Sequence, residues 1–235
     1  MPVFRANGAD LDMGQDFTEL RRAMVDSQVR TSDVTDLAII ESMLTVPREA
    51  FVPSAMRPFA YIDDDILLND GADEPRFLME PAPFARLVQL ADVQPSDLVL
   101  DVGCGMGYSS AILSRLGGAV IALESDDGLA GRANDILVRQ GFDSVAVVNG
   151  PLDRGLPGEG PYDVIFMGGA VDEVPQTMLD QLKPGGRLVV VEGHGLTGFA
   201  VLHLRDDEGV LSRRRAFNLS VKPLPGFEKA PEFVF

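Results

Sequence analysis

The chain reads as an α/β domain: a mostly parallel sheet with helices on both faces, finished by an antiparallel hairpin and preceded by a helical segment. Three observations predict it. From position 98 onward, short aliphatic runs alternate with segments of helical periodicity, the signature of successive βαβ units. The stretch Val99-Leu100-Asp101-Val102-Gly103-Cys104-Gly105-Met106-Gly107-Tyr108 passes from an apolar strand through an acid into three alternate glycines. Near the other end, apolar runs over 199–204 and 211–219 flank Asp206-Asp207-Glu208-Gly209, which is hairpin punctuation.

The elements follow in order. Positions 1–16 are polar and mixed and predict a loose arm. Phe17, Leu20 and Met24 predict a helix over 17–29. Leu37, Ile40 and Leu44 predict a second over 33–43, opened by the capping cluster Thr31-Ser32-Asp33. Prolines and acids make 46–53 and 61–65 loops, and a further helix is expected over 82–90. Positions 17–97 should then pack as a substrate-side segment over a core of 98–222. In that core, strands are expected at 98–102, 119–123, 145–148, 162–167 and 187–191. Helices follow the glycine turn as far as Gly117 and span 126–139 up to Gly141, and a short one closes at 179–182. Lys183-Pro184-Gly185-Gly186 is a turn. The tail, 223–235, ends in Phe233-Val234-Phe235, apolar enough to dock on the body or on a second copy.

Composition excludes several classes. Twenty Lys and Arg against 36 Asp and Glu give a net charge of −16, which disfavours nucleic-acid and acidic-membrane partners. No run suits a signal peptide or a membrane span, so a cytoplasmic protein is expected. The single cysteine, Cys104, forms no internal disulfide, and two histidines far from it predict no metal site.

The glycine turn narrows the ligand. A dinucleotide fingerprint needs its third glycine at position 108, where Tyr108 stands, and no G-K-[ST] follows to serve a triphosphate. A ribose-bearing ligand without phosphate remains. The next strand ends at Glu124, an acid placed to accept from ribose hydroxyls. Ligands of open α/β sheets lie at the carboxyl ends of the strands, so Gly103, Glu124, Gly150 and Met167-Gly168-Gly169 should converge on one cleft. Cys104 reads as a small lining residue.

With strand, turn, helix, strand and acid in this order, the chain resembles the Rossmann-like class I S-adenosylmethionine-dependent methyltransferases. The resemblance implies that Gly103, Cys104, Gly105, Met106 and Gly107 hold the methionyl part of the cofactor. Asp101 would fix its amino end, Glu124 would hold its ribose, and Ser125 would lie among the cofactor-binding residues. Gly150, Pro151, Leu152 and Met167 would complete the pocket, and S-adenosyl-L-homocysteine would be the product.

The N-terminal half resembles one family within that class. Met24-Val25-Asp26-Ser27-Gln28-Val29-Arg30, Val46-Pro47-Arg48, Phe51-Val52-Pro53 and Ala60-Tyr61 look like the opening of the protein-L-isoaspartate O-methyltransferases. Pro161-Tyr162-Asp163-Val164-Ile165, Glu173-Val174-Pro175 and Leu182-Lys183-Pro184-Gly185-Gly186 look like their later segments. The resemblance implies methyl transfer to the isoaspartyl carboxylate of a damaged protein or peptide, an early step of repair. Because a carboxylate is ionised at neutral pH, such an enzyme supplies proximity and exclusion of water rather than a base.

Two departures bear on the acceptor. Where the family carries serine and glutamine before a proline, this chain has Met79 and Glu80 ahead of Pro81. A thioether donates no hydrogen bond, and a second anion disfavours an ionised carboxylate beside it. Glu80 would suit an acceptor that needs a base, or is simply a charge at a helix N-terminus. After the third strand, the family's glycine, aspartate, glycine is Gly150-Pro151-Leu152, which leaves backbone groups to serve the adenine. Two further readings therefore stand beside isoaspartyl transfer: a methyltransferase with another acceptor, and a catalytically silent cofactor-binding regulator.

Overall fold

The computed structural model of the chain describes residues 16–228. Apart from Asp16, the expected arm lies outside the described residues, as does Phe233-Val234-Phe235. The described segment opens with α1 (Phe17–Met24), which continues as a π-helical turn, Val25–Val29. Next come α2 (Leu37–Thr45), two 3-10 helices (Arg48–Phe51, Ser54–Phe59), the short strands β1 (Ile66–Leu67) and β2 (Phe77–Leu78), and α3 (Pro81–Ala91). The core runs β3 (Leu98–Val102), α4 (Tyr108–Leu116), β4 (Ala119–Glu124), α5 (Asp127–Gln140), β5 (Val145–Asn149), β6 (Tyr162–Val171), α6 (Gln176–Leu179), β7 (Leu182–Glu192), β8 (Phe199–Arg205) and β9 (Leu211–Asn218).

Seven strands form one sheet in the order β5-β4-β3-β6-β7-β8-β9. The pairs from β5 through β7 are parallel, and β8 and β9 close the sheet as the expected antiparallel hairpin. Strand order reverses at β3, with β4 on one side and β6 on the other. Such a switch point opens a crevice at the carboxyl ends of the strands.

Alternation along each strand divides the core into two faces. Val99, Ala122, Phe166 and Val189 face α1 to α5, where Met24, Met43, Leu87, Ile112 and Ile136 are packed. Leu100, Val102, Leu123, Met167 and Val190 face the opposite way. There the cover is thin: the one-turn α6, a 3-10 turn at Leu152–Arg154, and Leu224 and Phe227 from the tail. Helices on both faces thus hold in reduced form on this second side.

Several local expectations are corrected. The N-cap of α2 is Asp36, whose carboxylate accepts from the N–H groups of Ala38 and Ile39. Thr31 and Ser32 instead bond back to carbonyls of the preceding helix, at Ser27 and Gln28, closing that helix. The short helix lies earlier, at Gln176–Leu179, and Leu182 already pairs with Tyr162 in the sheet. Lys183-Pro184-Gly185-Gly186 bulges out of β7 before Arg187 resumes pairing with Val164. The β1–β2 hairpin leaves no strand signal in the sequence, because each strand is two residues long within an acidic stretch.

Candidate active site

Asp101 is fully buried near the end of β3 and faces α4. Its Oδ2 accepts from the hydroxyls of Ser109 and Ser110, each at 2.6 Å. Its Oδ1 is buried with no hydrogen-bond partner. Burial pushes this carboxyl up to about 6 against the two serine hydroxyls, and the nearby Glu124 carboxylate adds to the rise. An orphaned, buried carboxylate oxygen at the crevice is a ready acceptor for a cationic donor such as an ammonium group.

Glu124, fully buried at the end of β4, is the most heavily bonded side chain of the site. Oε2 accepts from the Gly105 N–H at 2.7 Å, and Oε1 from the N–H groups of Ser125 and Asp126 at 2.9 and 3.2 Å. Arg76, absent from every sequence expectation, completes the set. Its Nε donates to Oε1 and its Nη2 to Oε2, both at 3.1 Å, in a bidentate pair with 3% and 0% of the two side chains exposed.

The turn between β3 and α4 holds Gly103, Gly105 and Gly107 at positive φ, a region that L side chains rarely adopt. Its glycines also make room for the chain itself. A Cβ on Gly103 would lie 2.6 Å from Arg76 Nη2, and one on Gly105 would lie 2.6 Å from Leu68 Cδ1. Both neighbours come from the β1–β2 hairpin, which lies over the turn. Cys104 is buried beneath it, and burial pushes its thiol well above the ordinary range, which leaves it un-nucleophilic. Met106 is buried as well.

The hairpin divides the available space. Inside it lies a cavity of about 20 Å³ lined by Met79, Phe84, Gly103, Cys104, Tyr108 and Phe166 among others. Outside it lies one of about 320 Å³, lined by Ala72, Asp73, Glu74, Arg76, Ser125 and Asp126. The charges and the orphaned oxygen fit a ribose-bearing cation, while the inner space is a fraction of the roughly 300 Å³ that small-ligand pockets begin at.

The remaining expected residues divide. Gly150 donates its N–H to the Glu124 carbonyl, which fixes it beside the acid, and Pro151 is exposed next to it. Leu152 and Met167 are buried in the second core. On β6 the side chain that shares a face with Asp101 is Phe166, its register partner, and Met167 points to the opposite face.

Of the two substrate-side residues, Met79 lines the inner cavity and Glu80 follows it in the chain. Met79 is buried in its wall, and its carbonyl accepts from Arg48 Nη2 at 2.7 Å. Arg48 is itself fully buried, donates to the Ala60 carbonyl at 2.8 Å, and lies over the Tyr108 ring at 4.9 Å. Glu80 is half-buried as the N-cap residue of α3, without a side-chain cap bond. Partial burial and the carboxylates of Asp65, Asp63 and Asp64 raise its pKa. Arg76 and Arg48 were legible only weakly: Arg76 is the one cation between Asp63 and Glu80, and Arg48 sits in the Val46-Pro47-Arg48 motif.

A switch-point crevice with a glycine turn, a buried acid on the first strand and a second acid closing the next defines a class I methyltransferase fold. The particular family follows from comparison with known proteins. The family described as Protein-L-isoaspartate(D-aspartate) O-methyltransferase (PCMT) matches residues 19–219, and the chain belongs to it. It is 35% identical over 211 residues to a protein-L-isoaspartate O-methyltransferase of Roseiflexus sp. (strain RS-1), covering 90% of this chain and 94% of that one. An enzyme of the same description from Aeropyrum pernix is 35% identical, over 89% and 81% of the two chains. Among solved structures, a protein-L-isoaspartate O-methyltransferase superposes with a TM-score of 0.73 at 27% identity, over 89% of this chain and 66% of that longer one.

Proposed function

We propose that the chain is an S-adenosylmethionine-dependent methyltransferase that methylates isoaspartyl carboxylates of protein or peptide substrates in the cytoplasm. Family membership supports the reaction class. The observation that carries the site is the pairing of Asp101, whose Oδ1 is buried and unpartnered, with Glu124 on the adjacent parallel strand. Among the described residues, no helix is long and apolar enough to cross a membrane.

Bound there, the cofactor supplies an electrophilic methyl group on a sulfonium centre. Asp101 Oδ1 would take its ammonium group, the Gly103–Gly107 turn its methionyl backbone and Glu124 its ribose. Gly150 and Leu152 would offer backbone groups to the adenine side. Phe77, Leu78, Met79, Phe84 and Phe166 surround the inner cavity and keep water from it. An ionised carboxylate acceptor needs no proton removed, so these residues act by alignment and desolvation.

A second acceptor class is favoured by one observation: Glu80, with its pKa raised, stands beside the Met79 wall where a base would serve an amine or hydroxyl. Incubation with methyl-labelled S-adenosylmethionine and an isoaspartyl peptide tests the first reading. The expected result is base-labile label on the peptide, lost in Glu124→Ala. Cofactor binding without any label on the peptide would overturn it.

A further inference from the structure

We infer that Arg76 is the gate of the cofactor site: it latches the β1–β2 hairpin onto Glu124 and must leave that carboxylate before a nucleoside can enter. The inference rests on the cofactor reading above and adds to it a positioning residue and an order of events. Three observations carry it.

Glu124 is saturated. A carboxylate offers about four lone-pair sites. Six donors already crowd them, namely the N–H groups of Gly105, Ser125 and Asp126, the Ser125 hydroxyl at 3.4 Å and two nitrogens of Arg76. Three of these belong to the backbone that builds the turn and the start of α5, so the exchangeable pair is the guanidinium. Ribose hydroxyls therefore compete with Arg76 for the same two oxygens.

Arg76 also stands between the two cavities. It lines the outer one, while its Nη2 occupies the position against Gly103, which lines the inner one. Swinging the guanidinium out opens the space over Gly103 between them. The hairpin's second tie is weaker: Asn69 Nδ2 donates to Asp126 Oδ2 at 2.9 Å, and its Oδ1 accepts the Arg76 N–H at 2.7 Å. Asn69 thereby couples the hairpin's backbone to the start of α5, so that release of Arg76 leaves the loop held by this neutral-to-charged bond and by the burial of Ile66 and Leu68 at its base.

Closed and open forms then share the protein, and the apparent cofactor affinity is reduced by the fraction that is open. The closed state also holds the two buried charges against each other out of water. Once displaced, Arg76 remains on the hairpin, three residues before Met79, and reports on whether the cofactor is in place.

The test is calorimetric titration of the full chain with S-adenosylhomocysteine, comparing wild type with Arg76→Gln and Arg76→Lys. Arg76→Gln should bind about tenfold tighter or more, and the KM for S-adenosylmethionine should fall with it. Arg76→Lys, which keeps a charge but not the fork, should lie between them. Hydrogen exchange of wild type should be faster over 66–78 with the ligand bound than without it, and this reading survives even if the variants fold poorly. Equal or weaker binding by a folded Arg76→Gln, with unaltered exchange in the hairpin, would overturn the gate and leave the cofactor reading intact. Absence of binding by wild type and variants alike would remove both.

Discussion

Arg48→Met is the sharpest probe of how the substrate-side segment is held. The substitution keeps the aliphatic stem and removes the guanidinium. That guanidinium is fully buried and donates to the carbonyls of Ala60 and Met79 at 2.8 and 2.7 Å. Each buried acceptor left unpaired costs about 1–3 kcal/mol, so the two together cost about 2–6 kcal/mol. The lost contact with the Tyr108 ring adds about 1 kcal/mol. Relief acts the other way. Burial lowers the pKa of Arg48, which means the cation is held at a desolvation cost, and its Nη1 has no hydrogen-bond partner. The two unpaired carbonyls nonetheless outweigh this relief, and a net loss of about 2–4 kcal/mol is expected. Urea unfolding at fixed pH reads it as a lower midpoint at unchanged slope. A loss below about 1 kcal/mol, or a gain, would refute the argument that the two carbonyls depend on Arg48.

Other perturbations follow the same logic. Met79→Ser with Glu80→Gln should raise kcat/KM for an isoaspartyl peptide by about tenfold or more, through a restored hydroxyl and a removed anion, as measured by label transfer. The Asp101 carboxyl, held at about 6, stays protonated in the folded protein while the unfolded chain ionises near 3.8. Its contribution to stability is therefore fully present below about pH 4 and lost as pH rises through 6, by about 3 kcal/mol for two pH units; Asp101→Asn should flatten that fall in a pH series of unfolding curves. Because the ionised form is the one that accepts an ammonium group, cofactor affinity in wild type should rise between pH 5 and 7 and stay flat in Asp101→Asn. At Glu192, burial opposes ionisation, yet hydrogen bonds from His203 and Arg213 hold the carboxyl at about 2. That stability is present above pH 4.5 and lost as pH falls toward 2, so Glu192→Gln should be the less acid-sensitive protein in the same series.

What the sequence made legible, and what it hid, has a physical pattern. Val99-Leu100-Asp101-Val102-Gly103 and Val120 to Glu124 were readable because each is a largely buried strand carrying a buried acid at or near its end, and strand and turn chemistry coincide there. Gly141 marked the end of α5 because its positive φ caps the helix. Which of Phe166 and Met167 shares the face of Asp101 was not legible, because one step along a strand reverses the face and the apolar run Val164-Ile165-Phe166-Met167 carries no alternation. The β1–β2 hairpin was hidden because its two-residue strands are set by long-range ties to Glu124 and Asp126 rather than by local pattern. Arg76 shares that origin: its partner lies 48 residues away, so only the three-dimensional structure pairs them.

The most direct test of the account is the structure of the chain crystallised with S-adenosylhomocysteine. Ribose hydroxyls are expected on Glu124 in place of the Arg76 guanidinium, with the amino group on Asp101 Oδ1 and the 66–78 hairpin lifted from Gly103 and Gly105. A ligand seated elsewhere, with the Arg76–Glu124 pair intact, would contradict it.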